Sequence, residues 1–292
     1  MNKKFKMWFL ASRPKTLPAA AAPVFVGTAV AISNGELNIL AAIIALICSL
    51  LIQIGTNFVN DLYDFLKGTD DKNRVGPERA LATGWISVGQ MKTAIYFTFG
   101  ITFILGLFLV YHAGWIILLI GVLSILSGYA YTAGPLPLAY NGLGDIFVFI
   151  FFGLVATVGT YYVQAIQFSW FAILAAIPVG LLITNILVVN NFRDADEDKK
   201  KNKNTLAVIF GKTFSLFQYD ISLAISYLIP IFLVLFFDHA IIILLPLLSL
   251  PIAIKLIIEL RTKEGKSLND TLALTAKLSI IYSFLFSIGI VV

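Results

Sequence analysis

The sequence predicts an all-α polytopic membrane protein with nine transmembrane helices. Two features carry that prediction: 59% of the 292 residues are apolar and only 13% are charged, and mean hydropathy is +0.91. Soluble domains carry about 25% charged residues, enough to cover a water-facing surface. This chain cannot do so, which argues against a soluble enzyme, a disordered chain or a secreted scaffold. The single cysteine, Cys48, lies in an apolar run and reads as a packing residue.

Hydrocarbon about 30 Å thick is crossed by roughly 20 apolar residues, and as helix, because every backbone polar group must be paired within the segment. The opening residues MNKKFKMWFLASRPKTLP have only a short apolar stretch before Arg13, Pro14 and Lys15, unlike a cleavable signal peptide. Spans are then predicted at 16–33 and 38–59, followed by a long polar connection, 60–92. Spans at 93–111 and 114–131 lead to a Pro- and Gly-rich connection, TAGPLPLAYNGL (132–143). Those at 144–163 and 168–191 precede a second long connection, 192–213, and those at 214–236, 240–258 and 271–291 complete the set. Residues 1–292 read as one transmembrane domain, in which 12–131 and 144–258 could be four-helix pseudo-repeats followed by a ninth helix.

Charge placement orients the array. All 21 Lys and Arg lie in alternate connections or at the adjoining helix ends, with Lys255 and Lys277 at the margins, and the opposite turns carry none. Cytoplasmic loops are enriched in these residues, so the N-terminus is expected in the cytoplasm and the C-terminus outside. The basic excess, 21 against 16 acids, therefore reflects membrane lipid and topology, with no nucleic-acid partner. His112 and His239 fall in the outer turns and read as helix-end residues.

Two acidic clusters begin as spans 2 and 6 end. The first contains Asn57, Asn60, Asp61, Asp64, Lys67, Asp70, Arg74 and Arg79; the second contains Asn191, Arg193, Asp194 and Asp198. An even number of spans separates them, so both reach the same membrane face. At 100° per residue, Asn57, Asp61 and Asp64 share one face with Asn60 beside it, and Asn191, Asp194 and Asp198 form a like stripe. Opposed carboxylates with no cation between them would repel, and membrane-embedded acids are usually functional. A bound divalent metal resolves the conflict. Carboxylate and amide oxygens without His or Cys suit Mg²⁺, with Mn²⁺ as a substitute. Arg74, Arg79, Arg193 and Lys67 are expected to grip phosphate oxygens that the metal leaves free. The later lysine run, Lys199–Lys203, is expected to meet anionic headgroups.

These residues resemble the UbiA superfamily of intramembrane aromatic prenyltransferases. Its first motif, NDxxDxxxD, corresponds to Asn60-Asp61-Leu62-Tyr63-Asp64, with Gly68 in place of the last acid. NDLYDFLKGTDD, with a later acid at Asp70, and NNFRDADED are similar to the branch acting on 1,4-dihydroxy-2-naphthoate. SRPKTLPAAAAPVFVGTA and YTAGPLPLAYNGLGDIFVFIFFG agree with that branch, whereas the Tyr-Pro and Lys-Arg pattern of the 4-hydroxybenzoate branch is missing. The resemblance implies a UbiA-like bundle in the bacterial cytoplasmic membrane. It further implies that Asp61, Asp64, Asp70, Asp194 and Asp198, with Asn60 and Asn191, form the catalytic metal set for a polyprenyl diphosphate.

The implied reaction moves the polyprenyl group to 1,4-dihydroxy-2-naphthoate with decarboxylation, on the way to menaquinone. Tyr129 and Tyr131 are candidates for substrate contact. Phe147, Phe149, Phe151, Phe152, Tyr161 and Tyr162 are candidates for an aromatic wall facing a cationic prenyl fragment. Gln53, Asn185, Gln164, Asp145 and Asp220 either face the cavity or join helices, with Asp220 the costliest to explain without function. Another aromatic acceptor and cation-coupled transport are the alternatives left open.

Overall fold

In the computed structural model, which describes residues 3–69, 79–237 and 239–292, the chain opens with α1 (Lys3–Ala11). Arg13, left-handed at φ 51°, and Pro14 interrupt it, since proline lacks an N–H and disfavours helix at the preceding residue. A 3-10 turn, Pro14–Thr16, then leads into α2 (Leu17–Ser33). There follow α3 (Ile39–Leu66), α4 (Val88–Ala113), α5 (Trp115–Ala130), α6 (Gly144–Ala165) and α7 (Trp170–Lys200). The last three are α8 (Lys212–Phe236), α9 (Ile241–Thr262) and α10 (Leu268–Val291).

Among the described residues there is no strand, and eight helical stretches are long and apolar enough to span a bilayer, the first counted as Phe5–Ser33. The ninth, α5, has 16 residues and reaches about 24 Å at 1.5 Å per residue. This is an integral membrane protein whose helices α2–α10 match the nine predicted spans.

The boundaries differ from the prediction where function gathers. Helices α3 and α7 run past the predicted ends at 59 and 191, to Leu66 and Lys200. A hydropathy scan stops at the first charges, but these turns still have protein to pack against. Asp61, Leu62 and Asp64 are buried on α3, as are Arg193, Asp194, Ala195 and Asp198 on α7. Helix α4 begins earlier than predicted because Ser87 and Gln90 form a capping box. Asn38 and Ser169 cap α3 and α7 in the same manner, each accepting a backbone N–H one turn on.

Helix α2 is central, packing on α3, α6, α7 and α10. Close approach rests on glycine. A Cβ on Gly180 would lie 2.8 Å from Gly153 Cα, and one on Gly27 2.4 Å from the Thr157 carbonyl oxygen. The main core, around Tyr161, Tyr219, Tyr282 and Phe286, joins α2 and α6–α10. Large apolar side chains such as Leu235 and Phe236, with Trp115 and Trp170 near helix ends, lie exposed on the perimeter, as a lipid-facing surface requires. Asp220 has a charge partner: Arg261, near the end of α9, forms a two-pronged ion pair with it.

Candidate active site

A cavity of about 400 Å³ runs between α2, α3, α4, α5, α6 and α7. Its mouth is polar, lined by Asn60, Asp64, Thr69, Arg79, Asn191, Asp194, Asp198, Lys201 and Lys203. Its interior is apolar, with Phe103, Leu107, Ile125, Phe147, Phe151 and Phe152 on the wall. The two predicted stripes therefore meet across one opening.

Each acid is held differently. Asp64 Oδ1 accepts a hydrogen bond from the Tyr140 hydroxyl at 2.8 Å, and Lys201 Nζ reaches the Thr69 carbonyl at 2.6 Å. Asp194 is gripped by its neighbour: Arg193 Nε and Nη2 each donate to one of its oxygens at 2.6 Å. Asp198 Oδ1 lies 3.3 Å from Lys203 Nζ, while its Oδ2 is buried with no hydrogen-bond partner. Asp61 sits behind the lining, where its Oδ2 accepts the Ala80 N–H at 3.1 Å and its Oδ1 has no hydrogen-bond partner.

The asparagines orient the surroundings. Asn57 donates to the Ser12 carbonyl and to Thr16 Oγ1, both at 3.0 Å, and Gln53 donates to the same Thr16 hydroxyl. These bonds fasten the left-handed Arg13 turn against α3, and Arg13, Thr16, Gln53 and Asn57 all line the cavity. Asn60 Oδ1 accepts from Thr132 at 2.9 Å. Asn191 donates to Asp145 at 3.5 Å, and Gln218 donates to the other oxygen of Asp145 at 3.1 Å.

Several predicted roles do not match placement. Arg193 does not line the cavity; its hydrogen bonds to Asp194 (twice), Asn190 and Asn269 turn the guanidinium into protein. Lys67 is drawn to the Thr132 carbonyl at 2.7 Å, over the Tyr140 ring. Desolvation lowers its ammonium from the ordinary lysine value, and the Asp64 carboxylate pulls it back up. Tyr129 pairs with the Tyr63 hydroxyl outside the lining, whereas Tyr131 lines the cavity. Of the predicted aromatic wall, Phe147, Phe151 and Phe152 face the cavity. Tyr161 is buried against Asn34, and Phe149 packs by Gly180. Helical spacing accounts for part of this split, since at 100° per residue Phe151 falls near Phe147 while Phe149 falls on the opposite face. Asp70 and Arg74 lie outside the described residues.

The acids are also not without cations, as the sequence suggested. Arg193 pairs with Asp194 and Lys203 with Asp198, so repulsion alone does not call for a metal. The better indication is the oxygen-rich lining with the orphaned, buried Asp198 Oδ2. No three Asp, Glu, His or Cys side chains among the described residues form a metal cage by themselves. Mg²⁺ commonly takes one or two carboxylates and fills its octahedron with water and substrate phosphate, so this donor set fits it.

Sequence reasoning missed Arg13, Tyr140, Lys201 and Lys203 at the mouth. Arg13 had a signal in its position just before Pro14. The two lysines were hidden in a run that reads as headgroup contact, and Tyr140 carried no local signal.

Residues 20–281 match the UbiA prenyltransferase family. The chain is 37% identical to an Escherichia coli (strain K12) protein named 1,4-dihydroxy-2-naphthoate octaprenyltransferase, covering 97% of this chain and 94% of that one. It is 34% identical to a Haemophilus influenzae protein of the same name, covering 100% and 98%. A solved structure of a UbiA homolog from Archaeoglobus fulgidus, bound to DMAPP and Mg²⁺, shares the fold at a TM-score of 0.66 and 17% identity, covering 96% of this chain and 99% of that one.

Proposed function

Because the chain belongs to the UbiA prenyltransferase family, we propose that it transfers a polyprenyl group from its diphosphate to 1,4-dihydroxy-2-naphthoate. The carboxyl group is lost, and the product is a menaquinone precursor. The observation that supports this most directly is the two-part cavity: oxygen donors and cations at the mouth, apolar and aromatic walls behind. A diphosphate with an isoprenoid tail has the same two-part character.

Asp64, Asp194, Asp198 and Asn191 line the mouth and would hold Mg²⁺, with Mn²⁺ as a substitute; Asp61 and Asn60 brace that group from α3. When bound, the metal neutralises charge on the departing diphosphate. The protein supplies the remaining terms. Lys201, Lys203, Arg79 and Arg13 line the same opening and bring positive charge to phosphate oxygens, a preorganised stabilisation worth most where water is excluded. Phe147, Phe151 and Phe152 present ring faces to the allylic carbon, which becomes cationic as its bond to oxygen breaks. The apolar chamber keeps water from that carbon and holds the naphthoate ring close enough for its electron-rich carbon to attack.

The mouth is assigned to the cytoplasmic face of a bacterial cytoplasmic membrane, with the N-terminus inside and the C-terminus outside, on the distribution of Lys and Arg. A periplasmic reporter fused after Val292 should be active; an inactive one reverses the orientation.

Purified protein incubated with Mg²⁺, a polyprenyl diphosphate and the naphthoate should give prenylated, decarboxylated product, lost on chelation and restored by Mg²⁺. Product with 4-hydroxybenzoate but not the naphthoate overturns the acceptor assignment. Full activity in excess EDTA overturns the metal assignment.

A further inference from the structure

Arg193 makes four side-chain hydrogen bonds beside the mouth, yet it does not line the cavity. Its side chain is 1% exposed. Nε and Nη2 clamp the two oxygens of Asp194 at 2.6 Å, Nη2 also donates to Asn190 Oδ1 at 2.8 Å, and Nη1 donates to Asn269 Oδ1 at 2.7 Å. Asn269 lies in the first turn of α10, between Leu268 and Asp270.

The atom accounting is specific. A guanidinium has five N–H donors in a rigid planar fork. Two are spent side-on against Asp194, and two more are anchored by amide oxygens from α7 and α10. Such a fork cannot rotate without burying unpaired donors. It therefore sets the plane of the Asp194 carboxylate, and each of its oxygens keeps a lone pair directed away from the arginine. Asp194 lines the cavity while Arg193 and Asn269 do not, so the free lone pairs are the ones available to the mouth.

We propose that Arg193 and Asn269 are positioning residues that orient Asp194 as a metal ligand, with Asn269 linking α10 to the metal site. This rests on the metal reading given above. It departs from a phosphate-gripping role for Arg193, because four of the five N–H groups are taken within the protein and the side chain does not line the cavity. Partners that hold a ligating side chain in place typically contribute tenfold or more to metal affinity. The carboxylate clamp is made within α7, so its precision depends on the anchor that α10 supplies.

The test is Mn²⁺ binding to the full-length protein in detergent without substrate, followed by electron paramagnetic resonance, alongside steady-state kinetics. Asn269→Ala should raise the Mn²⁺ dissociation constant roughly tenfold and raise the Mg²⁺ concentration needed for half-maximal rate. The KM for prenyl diphosphate at saturating Mg²⁺ should stay unchanged. Asn269→Asp, which keeps an acceptor oxygen for Nη1, should bind Mn²⁺ more tightly than Asn269→Ala. Arg193→Lys, which keeps the charge but loses the fork, should show the same metal defect and supplies the comparison if Asn269→Ala does not fold. Unchanged Mn²⁺ affinity in Asn269→Ala or Arg193→Lys overturns the proposal. So does a defect confined to prenyl diphosphate KM at saturating metal, which would return Arg193 to the phosphate. Wild-type protein that takes up no Mn²⁺ overturns the metal reading itself, an outcome distinct from a failed anchor.

Discussion

The Tyr140 hydroxyl donates to Asp64 Oδ1 over 2.8 Å, so the connection between α5 and α6 holds a carboxylate that belongs to α3. The same hydroxyl lies 2.9 Å from Thr69 Oγ1, and the Tyr140 carbonyl accepts the Asn204 N–H at 3.1 Å. Three connections distant in sequence are thereby tied together at the mouth. Tyr140→Phe removes the bond to a charged acceptor, an interaction worth about 1.5–3 kcal/mol. The expected outcome is a roughly tenfold or greater loss of kcat/KM, with α-helical circular dichroism unchanged. An unaffected kcat/KM removes Tyr140 from the account.

Asp64→Asn and Asp198→Asn each keep shape and remove charge from the cavity mouth. Each should lower kcat by about 100-fold or more, as for loss of a central electrostatic contact. Asp198→Asn is the sharper case, because its Oδ2 has no protein partner to lose. Turnover at saturating Mg²⁺ within twofold of wild type in either variant would remove that carboxylate from the reaction.

Gly106, Gly121 and Gly159 come from three helices, line the cavity, and have open space where a Cβ would project. Gly121→Phe should fill part of the chamber beside Leu118 and Ile125. Dimethylallyl diphosphate should remain a substrate while the rate with a long polyprenyl diphosphate falls at least tenfold, read by product chromatography with both donors. Equal effects on both donors would place the tail elsewhere.

Gly180 has no such room, since an added Cβ would meet Gly153 Cα at 2.8 Å. Gly180→Ala should cost about 1–3 kcal/mol through overpacking, seen as a lower thermal unfolding midpoint in detergent. Gly121→Ala, made as the control, should leave that midpoint alone.

Asp220 and Arg261 form an ion pair with both side chains partly exposed. Asp220→Asn should change stability by less than about 1 kcal/mol and leave prenyl transfer within twofold of wild type. A large loss of activity would restore the functional role that its position within a span first suggested.

Membrane class, the nine spans and the two acid stripes were legible in the sequence because each depends on local, one-dimensional physics. Hydrocarbon thickness sets the length of an apolar run, and the helical repeat puts Asp61 near Asp64 and Asp194 near Asp198 whatever surrounds them. Even separation by whole spans brings both stripes to one membrane face. Helix ends were less legible, since α3 and α7 continue wherever polar side chains find protein to bury against, and a hydropathy scan cannot register that.

What each charged side chain does was decided by the tertiary structure. Arg193 reads from the sequence as a phosphate ligand, but Asn269 at the start of α10 captures it, and Lys203 reads as a headgroup contact but lies beside Asp198. Tyr140 joins the mouth through a connection with no helical period to announce it. Hydrogen bonds and ion pairs act over about 3 Å and select partners by direction. The choice among partners therefore waits on which helices become neighbours, and only the packed bundle determines that.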